Sequence, residues 1–411
     1  MQNNQTLKRV SWTMIDQGMV SVGNFVLNVQ LARHLAPEDY GTFALIFGAF
    51  LGLQLVNASL LSYPLSIRLP VAAPEHQSRL VATNFLLVLI TCIPLGLLLA
   101  TGLKIFGRAE LIAPALAAFL LLQMQETLRR CLLSGFRHQA AVVGDAVTYL
   151  GQAVLIVALA YFDKLTLETT LIAMATTFGL GAVVQAFQLR LKVSAAGRFG
   201  ETIKAYWNTG AYSLANNLVS LLRIQLLPWL LAAAGGPAAA AAFQAALNVI
   251  NLANPIILGL CNIIPQAAAS ARSAGNGQAW RSARSYALFG APVTLGFYAL
   301  VFAAPQLFLY VFYGNSSPYL ELELVVRLLI VAWAASYATD MICSYFHGID
   351  AARSAFATNL LGVVAIAVLA IPLVAMWQLN GAAIAIVGAN AIRLLASYHL
   401  LTRTIADERH A

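Results

Sequence analysis

The chain has 411 residues, 60% of them hydrophobic and only 10% charged, with a mean hydropathy of +0.77. Soluble domains carry about 25% charged residues, so the composition excludes a soluble globular enzyme and predicts an all-α polytopic membrane protein. The net charge of +8 suits either nucleic acid or a membrane surface, and the placement of the basic residues decides between them.

The N-terminal stretch "MQNNQTLKRVSWTMIDQGM" lacks the compact apolar region and small-residue cleavage site of a secretory signal, and is expected to begin the first helix. Apolar runs long enough to cross a bilayer then predict about twelve spans, near 10–32, 40–67, 80–102, 111–134, 138–161, 168–190, 207–233, 238–264, 285–312, 324–346, 354–376 and 381–402. Short turns such as Gly235-Gly236-Pro237 and Leu379-Asn380 separate them, and no connection is long enough for an extramembrane domain. The longest, "RLKVSAAGRFGETIKAYW", divides six spans from six: an N-lobe over 1–190, a cytoplasmic linker over 191–206 and a C-lobe over 207–411.

With the N-terminus inside, 17 of the 24 basic residues fall on the cytoplasmic side and four (Arg33, Lys104, Arg108 and Lys164) on the other. That bias is the positive-inside rule, with both termini cytoplasmic. The basic surplus therefore faces anionic membrane lipids, and nucleic acid is excluded as a partner. The three remaining basic residues, Arg223, Arg327 and Arg393, lie within spans.

A shift of about 200 residues superposes the halves. Pro37 falls on Pro237 and Phe43 on Phe243; Val20-Ser21 falls on Val219-Ser220, and Pro64 on Pro265. Farther along, Gly135 matches Gly348 and Leu150-Gly151 matches Leu361-Gly362. Six spans is an even number, so a duplication of this kind yields two parallel lobes around a central cavity.

The first span carries Gln17, Ser21, Asn24 and Asn28 at steps of +4, +3 and +4, which is one helical face. In the seventh, Thr209, Ser213, Asn216, Ser220 and Arg223 follow the same rhythm, and the eighth adds Gln244, Asn248 and Asn251. Such side chains can be packing glue between helices or the hydrated face of a cavity. The second reading makes Gln17, Ser21, Asn24, Asn28, Asn216, Ser220, Asn248 and Asn251 substrate contacts.

Arg223 lies about sixteen residues from one end of its span and ten from the other. A charge at that depth costs about 2.5–3.5 kcal/mol on insertion scales. It either pairs with an acid such as Asp145 or Asp340, or stands in a water-filled vestibule as a fixed cation with a fork suited to phosphate oxygens. Asp16, Asp145, Asp340 and Arg393 sit towards the cytoplasmic side of their spans as gate, ion-coupling or interfacial candidates. Glu126 is expected to pair within its own helix with Arg129 and Arg130, and Arg327 with Glu323.

The six histidines are scattered without metal-ligand spacing, and no Walker-type phosphate loop is present. Cys92, Cys131, Cys261 and Cys343 lie in apolar runs and are expected to be small core residues. No carboxylate pair or nucleophile–histidine set occupies an outer loop. Neither catalysis nor a cofactor is expected.

The segment "SVGNFVLNVQLARHLAPEDYGTFAL", a polar first helix and an LAR-L-P-E-YG turn leading into an apolar second helix, resembles the polysaccharide-transporter branch of the multidrug/oligosaccharidyl-lipid/polysaccharide exporter superfamily. Its members include O-antigen and exopolysaccharide repeat-unit flippases. The resemblance extends over essentially the whole chain and implies two six-helix lobes that open alternately to either side of a bacterial inner membrane. It also implies a polyprenyl-pyrophosphate-linked oligosaccharide as cargo, Arg223 as the holder of the pyrophosphate, and other polysaccharide assembly proteins as partners. Relatives often carry an acid near the position of Arg223, so ion coupling here is expected to use Asp16, Asp145 or Asp340, or to be absent. Three rivals remain: an ion-coupled drug or metabolite exporter of the same fold, a membrane glycan-assembly enzyme, and a scaffold for an export machine.

Overall fold

The computed structural model describes the backbone of residues 2–407, and their side chains apart from those of 2–11, 13, 14, 74, 75, 212, 216, 220 and 407. Helices follow one another with short connections: α1 (Gln2–His34), α2 (Pro37–Arg68), α3 (Pro74–Ile105), α4 (Ile112–Ser134), α5 (His138–Tyr161) and α6 (Leu167–Leu189). They continue with α7 (Phe199–Gly235), α8 (Pro237–Ala274), α9 (Asn276–Ala303), a short helix Pro305–Tyr313, and α10 (Glu323–Gly348). The last helical stretch, Ala352–Asp407, breaks at Gln378, whose φ of 45° and ψ of −119° separate α11 (352–377) from α12 (379–407). Nine of the described helices are long and apolar enough to cross a membrane, counting Ala352–Ala406 as one; α7, bent by 42° between Ser213–Val219 and Leu221–Gly235, adds a tenth. Divided at Gln378 and joined by α1, they make about twelve transmembrane helices.

Local chemistry sets the boundaries. Proline opens α2, α3 and α8, where its missing N–H costs nothing and its fixed φ suits a first turn. Glu38 and Asp39 complement the N-terminal end of α2. Thr166 caps α6 reciprocally: its Oγ1 accepts from the Thr169 N–H at 3.1 Å while its own N–H donates to Thr169 Oγ1 at 2.8 Å. Two helices contain a turn of π-helix, Ala58–Ser62 in α2 and Ala146–Leu150 in α5. The first precedes Pro64 and takes up the irregularity that a residue without an N–H forces on a helix interior.

The chain forms two compact units. Unit 1 comprises 1–35 and 46–218; unit 2 comprises 36–45 and 219–411. The stretch 191–206, expected to be a linker, is tied down within unit 1. Thr83 Oγ1 donates to the Gly197 carbonyl at 3.0 Å, and Arg68 Nη2 donates to the Ala205 carbonyl at 2.8 Å while lying 5.5 Å from the Tyr206 ring centre. In unit 2 the start of α2 is buried through Tyr40 and Phe43.

Large apolar side chains such as Phe187, Phe289 and Leu395 are at least 70% exposed, as befits helices whose outer faces meet lipid. Helices inside each unit meet through van der Waals packing and small or polar residues. Buried threonines on α4 and α6 bond back to their own helix, Thr127 to the Gln123 carbonyl and Thr177 to the Ala173 carbonyl. Other buried polar groups reach across helices, and these build the candidate sites.

Candidate functional site

In unit 1 the charges converge on Arg129, in the last turns of α4. Its Nη2 lies 2.5 Å from Asp16 Oδ2 on α1, its Nε bonds Asp145 Oδ2 on α5, and its Nη1 lies 3.4 Å from Glu126. Arg130, four residues after Glu126, takes the other carboxylate oxygen at 2.6 Å. Asp145 is fully buried and Asp16 is 1% exposed. Gln125 and Gln185 each donate an amide N–H to Asp145 Oδ1, at 2.9 and 3.1 Å. The Gln185 side chain lies where a Cβ on Gly144 would stand, so only glycine there admits it. One oxygen of Asp16 and the carbonyl ends of Gln125 and Gln185 have no donor. Three acids face two guanidiniums, so the cluster carries an excess of negative charge and of acceptors.

In unit 2 the cluster is built around Arg393 on α12, which is 2% exposed. Its Nη2 donates to Asp340 Oδ1 on α10 at 3.1 Å and to Asn359 Oδ1 on α11 at 2.9 Å. Its Nη1 donates to Asn390 Oδ1 at 3.0 Å and Ser336 Oγ at 3.3 Å. Ser336 in turn donates to Asp340 Oδ2 at 3.1 Å. A Cβ on Gly362 would overlap the Arg393 stem, so a bare glycine on α11 makes room for it. Arg223 on α7 has Arg393, Asp340 and Cys343 as electrostatic neighbours. Its Nε is buried without a partner, and among the described residues it makes no hydrogen bond or ion pair. Two guanidiniums stand against one carboxylate, the opposite balance from unit 1.

Several sequence expectations change here. Asp145 and Asp340, the candidate partners of Arg223, are held by Arg129 and Arg393. Glu126 pairs with both Arg129 and Arg130 as expected, and Arg129 additionally turns inward to α1 and α5. Asn248 is 5% exposed and its amide is spent on the Tyr40 hydroxyl, at 2.9 Å, and on Tyr313, at 3.4 Å. That commits it to the core of unit 2 instead of a hydrated face. Asn251 accepts from Asn254 at 3.1 Å. Gln17, Ser21, Asn24 and Asn28 are half-buried along α1; Gln17 reaches Asp16 at 3.5 Å, and Asn28 donates to the Asn24 carbonyl. The side chains of Asn216 and Ser220 lie outside the described residues. Arg327 lies 3.7 Å from Glu323 as expected.

Sequence reasoning missed Gln125, Gln185, Ser336, Asn359 and Asn390. Their signal was polarity inside apolar runs, with Ser336 four residues before Asp340 and Asn390 three before Arg393. A shallow apolar groove of about 370 Å³ between α4 and α6, lined by residues such as Pro114, Leu121, Ile172 and Leu180, contains no charge. No group of His, Cys, Asp or Glu among the described residues is arranged to hold a metal ion.

No protein-family model matches the chain, and no curated protein does. The fold nevertheless has counterparts among solved structures. It is similar to the inward-facing conformation of a multidrug resistance MATE family transporter of the MOP superfamily, with a TM-score of 0.80 and 17% identity over 95% of this chain and 96% of that one. The outward-facing conformation of such a transporter gives a TM-score of 0.66 and 16% identity over 99% and 96%. A MOP superfamily transporter from Pyrococcus furiosus, described as having a binding pocket of reverse polarity that suggests a different function, gives 0.64 and 16% over 98% and 96%. The chain thus has the all-helical fold of MATE family transporters.

Proposed function

We propose that the chain is a flippase that carries a polyprenyl-pyrophosphate-linked oligosaccharide from the cytoplasmic to the periplasmic leaflet of a bacterial inner membrane. It works by alternating access of its two lobes, with both termini cytoplasmic. The observation that carries this reading is Arg223, a guanidinium deep in its span with no ion pair among the described residues. A bare cation at that depth is retained at a cost of about 2.5–3.5 kcal/mol, and a pyrophosphate is a partner that its planar fork fits. The half-buried amides and hydroxyls of α1 suit sugar hydroxyls without selecting one glycan. Coupling falls to unit 1, where Asp16 and Asp145 share one guanidinium and a proton on either acid changes the net charge of a buried cluster.

An exporter of cationic drugs or metabolites is the second reading, favoured by the multidrug resistance transporters that share the fold. Such cargo needs an uncompensated acid where this chain has Arg223. The Pyrococcus furiosus neighbour, with its reversed pocket polarity, supports function changing with pocket charge on this scaffold.

The test is translocation of a fluorescent polyprenyl-pyrophosphate oligosaccharide across liposomes containing the purified protein under an imposed ion gradient. Arg223→Ala is expected to abolish transport, and Arg223→Lys to retain part of it through charge without the fork. Normal transport by a well-folded Arg223→Ala protein would refute the role of the arginine. Export of organic cations without flipping would favour the second reading.

A further inference from the structure

Asp340 is the carboxylate among the electrostatic neighbours of Arg223, yet it does not bond Arg223. Both of its oxygens are engaged elsewhere: Oδ1 accepts from Arg393 Nη2 at 3.1 Å, and Oδ2 accepts from Ser336 Oγ at 3.1 Å. Arg393 is itself fixed by neutral acceptors, Asn359 Oδ1 at 2.9 Å and Asn390 Oδ1 at 3.0 Å, with its stem in the space left by Gly362. The amide oxygens orient the guanidinium without neutralising it, so its charge is spent on Asp340 alone. A carboxylate that two guanidiniums compete for decides which of them remains free.

We propose that Arg393 is a positioning residue for anion binding: by holding Asp340 it keeps that carboxylate from neutralising Arg223, which is thereby left to bind a phosphate or pyrophosphate group. The proposal rests on the reading of Arg223 as the anion site. It gives Arg393 a role distinct from gating, and makes Asp340 a counter-ion kept in check.

The experiment measures binding of farnesyl pyrophosphate and, separately, of inorganic pyrophosphate to the full-length protein in nanodiscs. The variants are R223Q, R393Q, D340N and R393Q/D340N. R223Q is expected to weaken binding by about tenfold or more. R393Q is expected to do the same although Arg223 is untouched, because the released Asp340 turns to it. R393Q/D340N is expected to regain wild-type affinity to within about threefold, which a merely structural Arg393 would not do, and D340N alone to bind at least as tightly as wild type. Recognition of both probes assigns the interaction to the pyrophosphate, and recognition of the isoprenoid form alone assigns it to the lipid-linked anion; either supports the proposal when the variants rank as stated.

Wild-type binding by R393Q, with R223Q weakened, overturns this proposal and leaves the Arg223 reading standing. Equal signals from wild type and R223Q overturn both. No recovery in R393Q/D340N, or weakened binding by D340N, overturns the proposal. The D340N comparison holds even where R393Q does not fold.

Discussion

Replacing Arg129 by methionine tests whether the unit 1 cluster is held together by its one inward cation. The substitution keeps a long, unbranched side chain and removes the charge that Asp16 and Asp145 share. Asp145 is fully buried and Asp16 is 1% exposed, so neither carboxylate can recover its energy from water. Breaking a buried pair by removing one partner costs about 3–5 kcal/mol. For a chain of 411 residues, unfolding entropy near 2 cal/mol/K per residue converts that loss into a fall of about 3–6 °C in the unfolding midpoint. The assay is thermal unfolding of the detergent-purified protein followed by intrinsic fluorescence, with R129M beside R129M/D16N/D145N. Removing all three charges leaves no buried ion unpaired, and neutral replacements for buried ion networks are commonly tolerated. The triple variant is therefore expected to return to within about 1 kcal/mol of wild type. A midpoint for R129M within 1 °C of wild type, or a triple variant no more stable than R129M, would refute the reasoning.

Gly362→Ala is expected to cost about 1–3 kcal/mol, because the new Cβ overlaps the Arg393 stem and drives its guanidinium from Asp340 and Asn359; thermal unfolding reads this, and an unchanged midpoint would mean that the helices part easily there. Tyr40→Phe removes the hydroxyl that accepts from Asn248 at 2.9 Å and is expected to cost about 1 kcal/mol while leaving flipping intact, since Asn248 sits in the core. Asp350→Asn removes the charge of the exposed partner of Arg272 while keeping a residue that tolerates its φ of 59°, and should shift stability by less than about 0.5 kcal/mol; a larger loss in the same melting assay would show that the pair is no ordinary surface contact. Arg223→Ala and Arg223→Lys, ranked in the liposome assay, complete the set.

Unit 2 sets two arginines in different surroundings. Arg393 has four hydrogen-bond acceptors, one of them a carboxylate, for its two terminal amino groups. Arg223 has neither hydrogen bond nor ion pair among the described residues. The two arginines are chemically identical, and only their surroundings differ.

What the sequence by itself determined follows from rules that act along the chain. Twenty-residue apolar runs must become spanning helices because lipid cannot satisfy a bare backbone, so the helices were legible down to the turn at Gly235-Gly236-Pro237 and the break beside Leu379. The isolation of Arg223 in an apolar run was equally legible, as were the close pairs Arg130 with Glu126 and Arg327 with Glu323, which one helix brings together by itself. The tertiary structure alone decided which helical faces meet. Arg129 and Asp16 are 113 residues apart, and Arg393 and Asp340 are 53 apart, and no periodicity within one helix records the rotation of another. The amphipathic spacing that placed Asn248 on a polar face could not show that Tyr40 and Tyr313 would cover it. Nor could the sequence tell that Gly362 is bare to admit an arginine. Helix formation is local and each helix satisfies its own backbone, whereas partner choice among buried charges depends on a packing that only the folded units supply.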